Sequence, residues 1–315
     1  MLLLLLSLVA LGEAPLEMTF ETATNGPVGR RTVQDDASIV FFYGGEQRGV
    51  LGDCGCPSRP RGGLARFDSY VRASRKTNPN TPSLIINSGN WLDDTIGLDN
   101  ELRRDVVVAN NYVMKGLEFG GWDVLNVAYP DVPFLVERGF PDQAISASIR
   151  VDEGPKAYTT VEMGDTTLAI TGISHNGLTF IEPEGVQFLE PMAALDEVIP
   201  QMRAEADIVV VLAFEPQRQT NSIVGRDDID VFIEGGQHRN HFEPIVRGRT
   251  IWVRSRYQTM RMGELRLWIE DSLITKAIDR KIDLDDQVSS TRALLRLTRA
   301  QSKELDSIRQ DLFGL

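Results

Sequence analysis

Residues 39–66 read IVFFYGGEQRGVLGDCGCPSRPRGGLAR. Ile39 to Tyr43 is a short apolar run of β-forming residues. Gly44 to Gly63 is a turn-rich loop that holds both cysteines of the chain, and a helix can begin near Leu64. An apolar run, a glycine-rich turn and a helix start form the unit from which α/β proteins are assembled, and the turn at the strand's carboxyl end is where they place their chemistry.

Working outward, the unit recurs. A helix over Leu64–Lys76 buries Leu64, Phe67 and Val71. Ser83–Ile86 is a strand that delivers Asn87-Ser-Gly-Asn90 into a turn. A long helix over Glu101–Phe119 ends at Gly120-Gly121, and a strand over Trp122–Val127 runs into Ala128-Tyr-Pro-Asp131, where Pro130 and Pro133 are expected to interrupt regular structure. Alternation predicts strands at 143–149 and 157–163, with Gly164-Asp165 as a hairpin turn into Thr166–Ile173. A loop then runs from His175 to about Pro191, followed by a helix over 192–204. Ile208–Ala213 and Ile229–Ile233 are continuous apolar runs suited to strands buried on both faces. Strands near 244–247, 250–254, 263–270 and 272–278 are expected to form an antiparallel end section. From Asp285 the pattern is helical, with Leu294, Leu297, Leu305, Ile308 and Leu312 along one side. The order predicts a layered, mixed-sheet α/β domain over 38–284, with residues 15–37 as a polar leader or linker and 285–315 as a C-terminal helix.

Composition narrows the function classes. The chain has 315 residues, 42% of them hydrophobic, enough for a substantial core. Its formal net charge of −12 disfavours an unselective nucleic-acid binder, which needs basic excess. Leu2–Leu11 is apolar apart from Ser7, about the length of a signal-peptide core and too short to span a bilayer. With Gly12 and Ala14 small enough for cleavage, residues 1–14 read as a signal peptide and the chain as periplasmic or extracellular, although no basic residue precedes the run. A buried N-terminal strand or a cloning remnant are the alternatives. No later apolar run reaches spanning length.

The ordered turns resemble the calcineurin-like metallophosphoesterases, specifically the N-terminal domain of secreted 5′-nucleotidases, across residues 38–278. That resemblance implies a four-layer αββα sandwich of two mixed β-sheets, with two divalent metals (Mn, Zn or Fe) between the strand ends. The family's first motif, aspartate-x-histidine-glycine, falls on Glu46-Gln47-Arg48-Gly49; arginine cannot coordinate a metal. The second, aspartate-x-glycine-aspartate, falls on Asn87-Ser88-Gly89-Asn90. The third, glycine-asparagine-histidine and an acid, follows the retained pair Trp122-Asp123 but reads Ala128-Tyr129-Pro130-Asp131. Phe214 occupies the place of a strand-end histidine, and Gln237 and Arg239 replace the two histidines of the fifth motif, with His238 between them. The resemblance therefore implies a degenerate member that retains Gly49, Gly62-Gly63-Leu64-Ala65-Arg66, Gly89, Asp123 and Gly235-Gly236.

The leading expectation is a non-catalytic exported protein, without a cofactor, that binds a partner protein or an anion through its loop edge. Arg48 and Arg239 are the sharpest anion-binding pair, with Arg59, Arg61 and Arg66 nearby. The alternative is a divalent-metal-dependent phosphoesterase whose altered site uses Glu46, Asn87, Asn90, Asp131 and His238. Against it, Asn87 and Asn90 also suit hydrogen bonding within their own turn. Asp123, Glu234 and His175 are further acids and a base without an evident partner in sequence, and His238 and His241 form a weak metal pair. Cys54-Gly-Cys56-Pro57 resembles a loop of exported relatives, some of which accompany multihaem cytochromes. A local disulfide, a bridge to a partner, a metal half-site and two reduced thiols all remain open for it.

Overall fold

The chain is described from a computed structural model, which covers residues 16–23, 26–55, 58, 60–175, 183–214, 217–236, 243–255 and 259–313. In chain order β1 (Glu17–Ala23) and α1 (Val28–Arg31) precede β2 (Ile39–Gly44), α2 (Leu64–Thr77), β3 (Ser83–Asn87), α3 (Arg104–Gly120) and β4 (Val124–Asn126). A 3-10 turn over Tyr129–Asp131 leads into α4 (Val132–Arg138), β5 (Ala144–Ile145), β6 (Ile149–Arg150), β7 (Tyr158–Met163) and β8 (Thr166–Ser174). Then follow β9 (Gln187–Phe188), α5 (Pro191–Glu205), β10 (Ile208–Phe214), α6 (Gln217–Ile223) and β11 (Val231–Gly235). The chain closes with β12 (Ile245–Arg247), β13 (Thr250–Arg254), β14 (Arg261–Glu270), β15 (Leu273–Asp283) and α7 (Arg292–Phe313).

Two mixed sheets stack face to face. One has seven strands in the order β1-β15-β14-β2-β3-β4-β5; the other has six, β12-β13-β11-β10-β8-β7. Strand alternation sorts the side chains into layers. In β2, Val40 and Phe42 face α2, α3 and α7, whereas Ile39, Phe41 and Tyr43 face the second sheet. In β10, Ile208, Val210 and Leu212 face the first sheet and Val209, Val211 and Ala213 face α5. The result is the expected four-layer αββα sandwich. A fully buried Val, Leu, Ile or Phe contributes about 1.5–3 kcal/mol, so the runs that read as continuous apolar strands supply core on both faces.

Three expectations are corrected. Within the segment 15–37, Glu17–Ala23 and Val28–Arg31 are not a leader or linker but elements of the domain. β1 pairs in parallel with β15, from Glu17 opposite Lys276 to Ala23 opposite Ile282, and the Arg31 side chain of α1 is buried, reaching Asp285 at 2.9 Å and the Asp283 carbonyl. The strands after residue 244 do not form one antiparallel section. β12 and β13 join the second sheet, with β13 parallel to β11, while β14 and β15 cross to the first sheet and β14 lies antiparallel to β2. Pro130 and Pro133 start helical turns instead of breaking them, because each falls at the first or second helical position, where no backbone N–H is needed.

The crossing of β14 and β15 brings buried charge into the first sheet. The fully buried Glu264 carboxylate accepts from Tyr70 Oη (2.7 Å), Ser74 Oγ (3.0 Å), Arg266 Nη1 (2.7 Å) and Arg280 Nη1 (2.7 Å). These four donors, two from α2 and two from β14 and β15, satisfy the carboxylate, which is the condition for tolerating buried ions.

Candidate functional site

The parallel strands β2, β3 and β4 of one sheet and β8, β10, β11 and β13 of the other end on the same edge, and their loops interlock there. Asn126 at the end of β4 donates to Ser88 O (2.9 Å) and, across to the other sheet, to Ile173 O (3.0 Å). Ser88 Oγ meets Ser255 Oγ at 3.0 Å, and Tyr129 N donates to Ser174 Oγ at 2.9 Å. Strand ends approach so closely that Gly45 and Gly235 have no room for a side chain: a Cβ on Gly235 would lie 2.6 Å from Ser88 Oγ.

The loop after β2 holds Glu46 and Arg48 in the left-handed backbone region (φ 55° and 49°), with Gly49 beyond them at 73°. Few side chains other than glycine adopt this conformation without cost, so the loop is held by its contacts. Glu46 N donates to Gly89 O (3.0 Å), Arg48 N to Asn90 O (3.3 Å) and Gly49 N to Trp91 O (3.1 Å), which zips the loop to the turn after β3. From the far side, Gln301 of α7 donates to Gly49 O (2.9 Å) and Ala109 O (3.2 Å), so the C-terminal helix positions the loop.

Asn87 Oδ1 accepts Gly89 N (2.9 Å) within its own turn, and its Nδ2 donates to Gln47 Oε1 (2.9 Å); Gln47 in turn reaches Thr259 Oγ1 (3.0 Å). Asp131 is fully buried. Its Oδ1 accepts Leu92 N (2.8 Å) and its Oδ2 accepts Asn90 N (3.0 Å) and Ala128 N (2.8 Å), stapling the turn after β3 to the turn after β4. Burial pushes its carboxyl up to about 8, against those amides, which act to lower it. Tyr129 and Phe214 pack ring on ring, with centroids 5.6 Å apart. The Tyr129 phenol is pushed up, first by burial and then by Asp94, while Arg48 acts the other way. Asp94 is also raised, chiefly by burial, with Arg48 again opposing. Arg48, Asp94, Tyr129 and Glu46 thus share one electrostatic neighbourhood. Asn90 is 2% exposed, and its side-chain Nδ2 is enclosed without a hydrogen-bond acceptor among the described residues.

No family model and no curated protein sequence matches the chain. Solved structures do. The sulfate thiohydrolase SoxB of Thermus thermophilus, in complex with glycerol, superposes with a TM-score of 0.72 at 15% identity, over 86% of this chain and 61% of that one. The 5′-nucleotidase of Candida albicans gives 0.66 at 15% identity over 89% and 59%, and the 5′-nucleotidase precursor of Thermus thermophilus gives 0.65 at 14% over 86% and 60%. The fold is that of the calcineurin-like metallophosphoesterases. The chain spans about three fifths of the length of these proteins.

Seen as a metallophosphoesterase fold, the loop edge is where the two-metal centre of the resemblance would lie, and the described residues form no cluster of three or more His, Cys, Asp or Glu able to hold a metal. Glu46, Arg48, Asn87, Asn90, Tyr129, Asp131 and Phe214 all come to this edge, with Pro130 buried in the 3-10 turn between Tyr129 and Asp131. Gln237, His238, Arg239 and His241 lie outside the described residues, as do Cys56 and Arg59. Cys54 is half-buried and its N–H donates to Arg61 O at 2.8 Å. Arg61 and Arg66 do not join Arg48. Arg61 pairs with Asp283 (3.7 Å), and Arg66 pairs with Asp53 (3.7 Å) and donates to Gly62 O (3.1 Å). His175 N donates to Phe214 O (3.2 Å) at the strand end. Glu234 is a buried structural acid that accepts Thr220 Oγ1 (2.5 Å), Trp252 Nε1 (2.9 Å) and Arg254 Nε (3.2 Å).

Sequence reasoning passed over Gln47, Asn126 and the serines 88, 174 and 255. A polar residue within one or two places of a buried strand's end was the available signal. Asn126, the last residue of β4, carries it as clearly as Asn87 does, whereas Gln47 lies three residues past the end of β2.

Proposed function

We propose that this chain is an exported binding protein that uses its metallophosphoesterase-fold loop edge to hold a small oxyanion, and that it does not carry out metal-dependent hydrolysis. The described donors fit a pair of divalent cations poorly. Asn87 is engaged by its own turn and Gln47, both Asp131 oxygens are held by backbone amides, and two packed aromatic rings stand at Tyr129 and Phe214. The observation that carries the anion reading is the enclosed Asn90 Nδ2, a donor lacking an acceptor among the described residues, on the residue whose carbonyl holds the Arg48 backbone. An enclosed donor of this kind costs about 1–3 kcal/mol unless something accepts from it. A tetrahedral phosphate or sulfate that enters by opening the loop would do so, with the Arg48 guanidinium offsetting the nearby acids Glu46 and Asp94. A partner protein, an exported cytochrome-type complex included, suits this reading if it presents such a group to the same edge.

Calorimetric titration with inorganic phosphate and sulfate tests the proposal. Saturable binding is expected in the wild type. Arg48→Gln and Asn90→Ala should each weaken it by about 10-fold or more, the effect of losing one hydrogen bond to a charged group. Stoichiometric Mn²⁺ or Zn²⁺ binding accompanied by hydrolysis of p-nitrophenyl phosphate above background would overturn it. Export rests on Leu2–Leu11, and intact mass of the protein secreted from a host cell would show whether that segment is removed.

A further inference from the structure

A cavity of about 520 Å³ opens on the outer face of the seven-stranded sheet, between the second half of α3 and α4, and shares no lining residue with the loop edge. That volume falls within the range of small-molecule sites, about 300–1,000 Å³. Its floor is apolar: Trp122, Leu125 and Phe134 line it and are 4%, 3% and 1% exposed. The Trp122 ring is fixed from behind by stacking on Phe67, with centroids 4.7 Å apart, so it is preorganised and not free to swing away.

One polar group on this floor has no protein acceptor among the described residues. Trp122 makes no hydrogen bond through its indole N–H among the described residues, although its backbone N–H reaches Leu117 O. The indole nitrogen is not among the polar atoms sealed from solvent, and Trp122 is one of the residues that line the cavity. A buried tryptophan normally finds an acceptor for this donor. Two cations, Lys115 and Arg138, stand exposed at the mouth with one acid, Glu118, and Arg138 makes no ion pair with any described residue. Among the lining residues these two cations outweigh Glu118 by one charge, on a chain whose formal charge is −12, and the Lys115 amine also lies 5.5 Å from the Tyr112 ring centre.

From this we infer that the cavity is a second binding site, for a small molecule with a flat apolar body and a carboxylate or other anionic acceptor. The body lies on Trp122, Leu125 and Phe134. The acceptor takes the Trp122 indole N–H and faces Lys115 and Arg138. A neutral hydrocarbon would leave the N–H unsatisfied, and a cationic aromatic would meet like charge.

The probe is 1-naphthoate, with 1-naphthylmethylammonium as its cationic counterpart, titrated by calorimetry into the full chain. The naphthoate should bind saturably at one site, and the cation about 10-fold more weakly or not at all. A Lys115→Gln/Arg138→Gln double variant changes only exposed side chains and should lose about 10-fold in naphthoate affinity. Trp122→Phe keeps the ring stacked on Phe67 while deleting the donor, and should lose severalfold, with circular dichroism verifying the fold. Arg48→Gln should leave naphthoate binding unchanged. The inference is overturned if no saturable binding appears up to about 1 mM, an affinity of about −4 kcal/mol. It is equally overturned by equal binding of the cation, by indifference to the double variant, or by loss of binding in Arg48→Gln.

Discussion

Replacing Asp131 with alanine should separate the two turns that form the loop edge, and its effect follows from three hydrogen bonds. The substitution leaves the amides of Asn90, Leu92 and Ala128 without their acceptor inside a fully buried pocket. Each orphaned donor costs about 1–3 kcal/mol, and water entering the vacated space restores part of that, so a loss of about 3 kcal/mol is expected at pH 5. The pH dependence has a definite sign. Burial raises the carboxyl to about 8 in the folded chain, whereas it sits near 3.9 when unfolded. Between those values the folded state binds more protons than the unfolded one, so this group's contribution to stability falls as pH rises from about 4 to about 8. The slope approaches 1.4 kcal/mol per pH unit and is absent from the variant, so the gap between the two proteins should narrow toward pH 8. Urea unfolding at pH 5, 6.5 and 8, followed by tryptophan emission, measures this, with an unchanged m-value verifying the two-state comparison. A gap below about 1 kcal/mol at pH 5 would refute the staple. A gap that widens with pH would refute the dominance of burial over the amides.

Two further outcomes concern the scaffold. Glu264→Gln removes the buried charge that Arg266 and Arg280 share, leaving them Asp35 and Glu21, and takes the acceptor from either Tyr70 or Ser74, which use different carboxylate oxygens; it should lower stability by about 1–3 kcal/mol in the same urea assay. Gly263→Ala should fail to fold or lose more than about 3 kcal/mol, because a Cβ on β14 would overlap the Tyr43 ring. That ring is held in place by Asp279 and Lys281. Thermal denaturation of the soluble fraction would measure the loss.

The architecture of the domain was legible because the decisive strands are local patterns. Ile39–Tyr43, Ser83–Ile86 and Ile208–Ala213 are short apolar runs bounded by turn residues, and all three appear within about a residue of the expected place. What escaped was pairing over distance. Glu17–Ala23 is polar enough to read as linker because it is an edge strand with a half-exposed face. The final strands are split between two sheets by pairings over distance, such as Gly263 of β14 opposite Tyr43 of β2, some 220 residues earlier in the chain.

The loop edge divides in the same way. Sequence alone determined which residue types stand at each strand end: arginine at 48, asparagine at 87 and 90, tyrosine at 129, phenylalanine at 214. Through the resemblance, those residue types stand where its motifs would place aspartates, an asparagine and histidines. Only the tertiary structure decided how those groups are employed. Asn87 turns inward to Gln47 and Asp131 gives both oxygens to backbone amides, while Asn90 keeps an enclosed donor without an acceptor among the described residues. Ligand types are covalent facts of the chain, but the partner each one takes is set by which loops the two sheets bring within about 3 Å of one another.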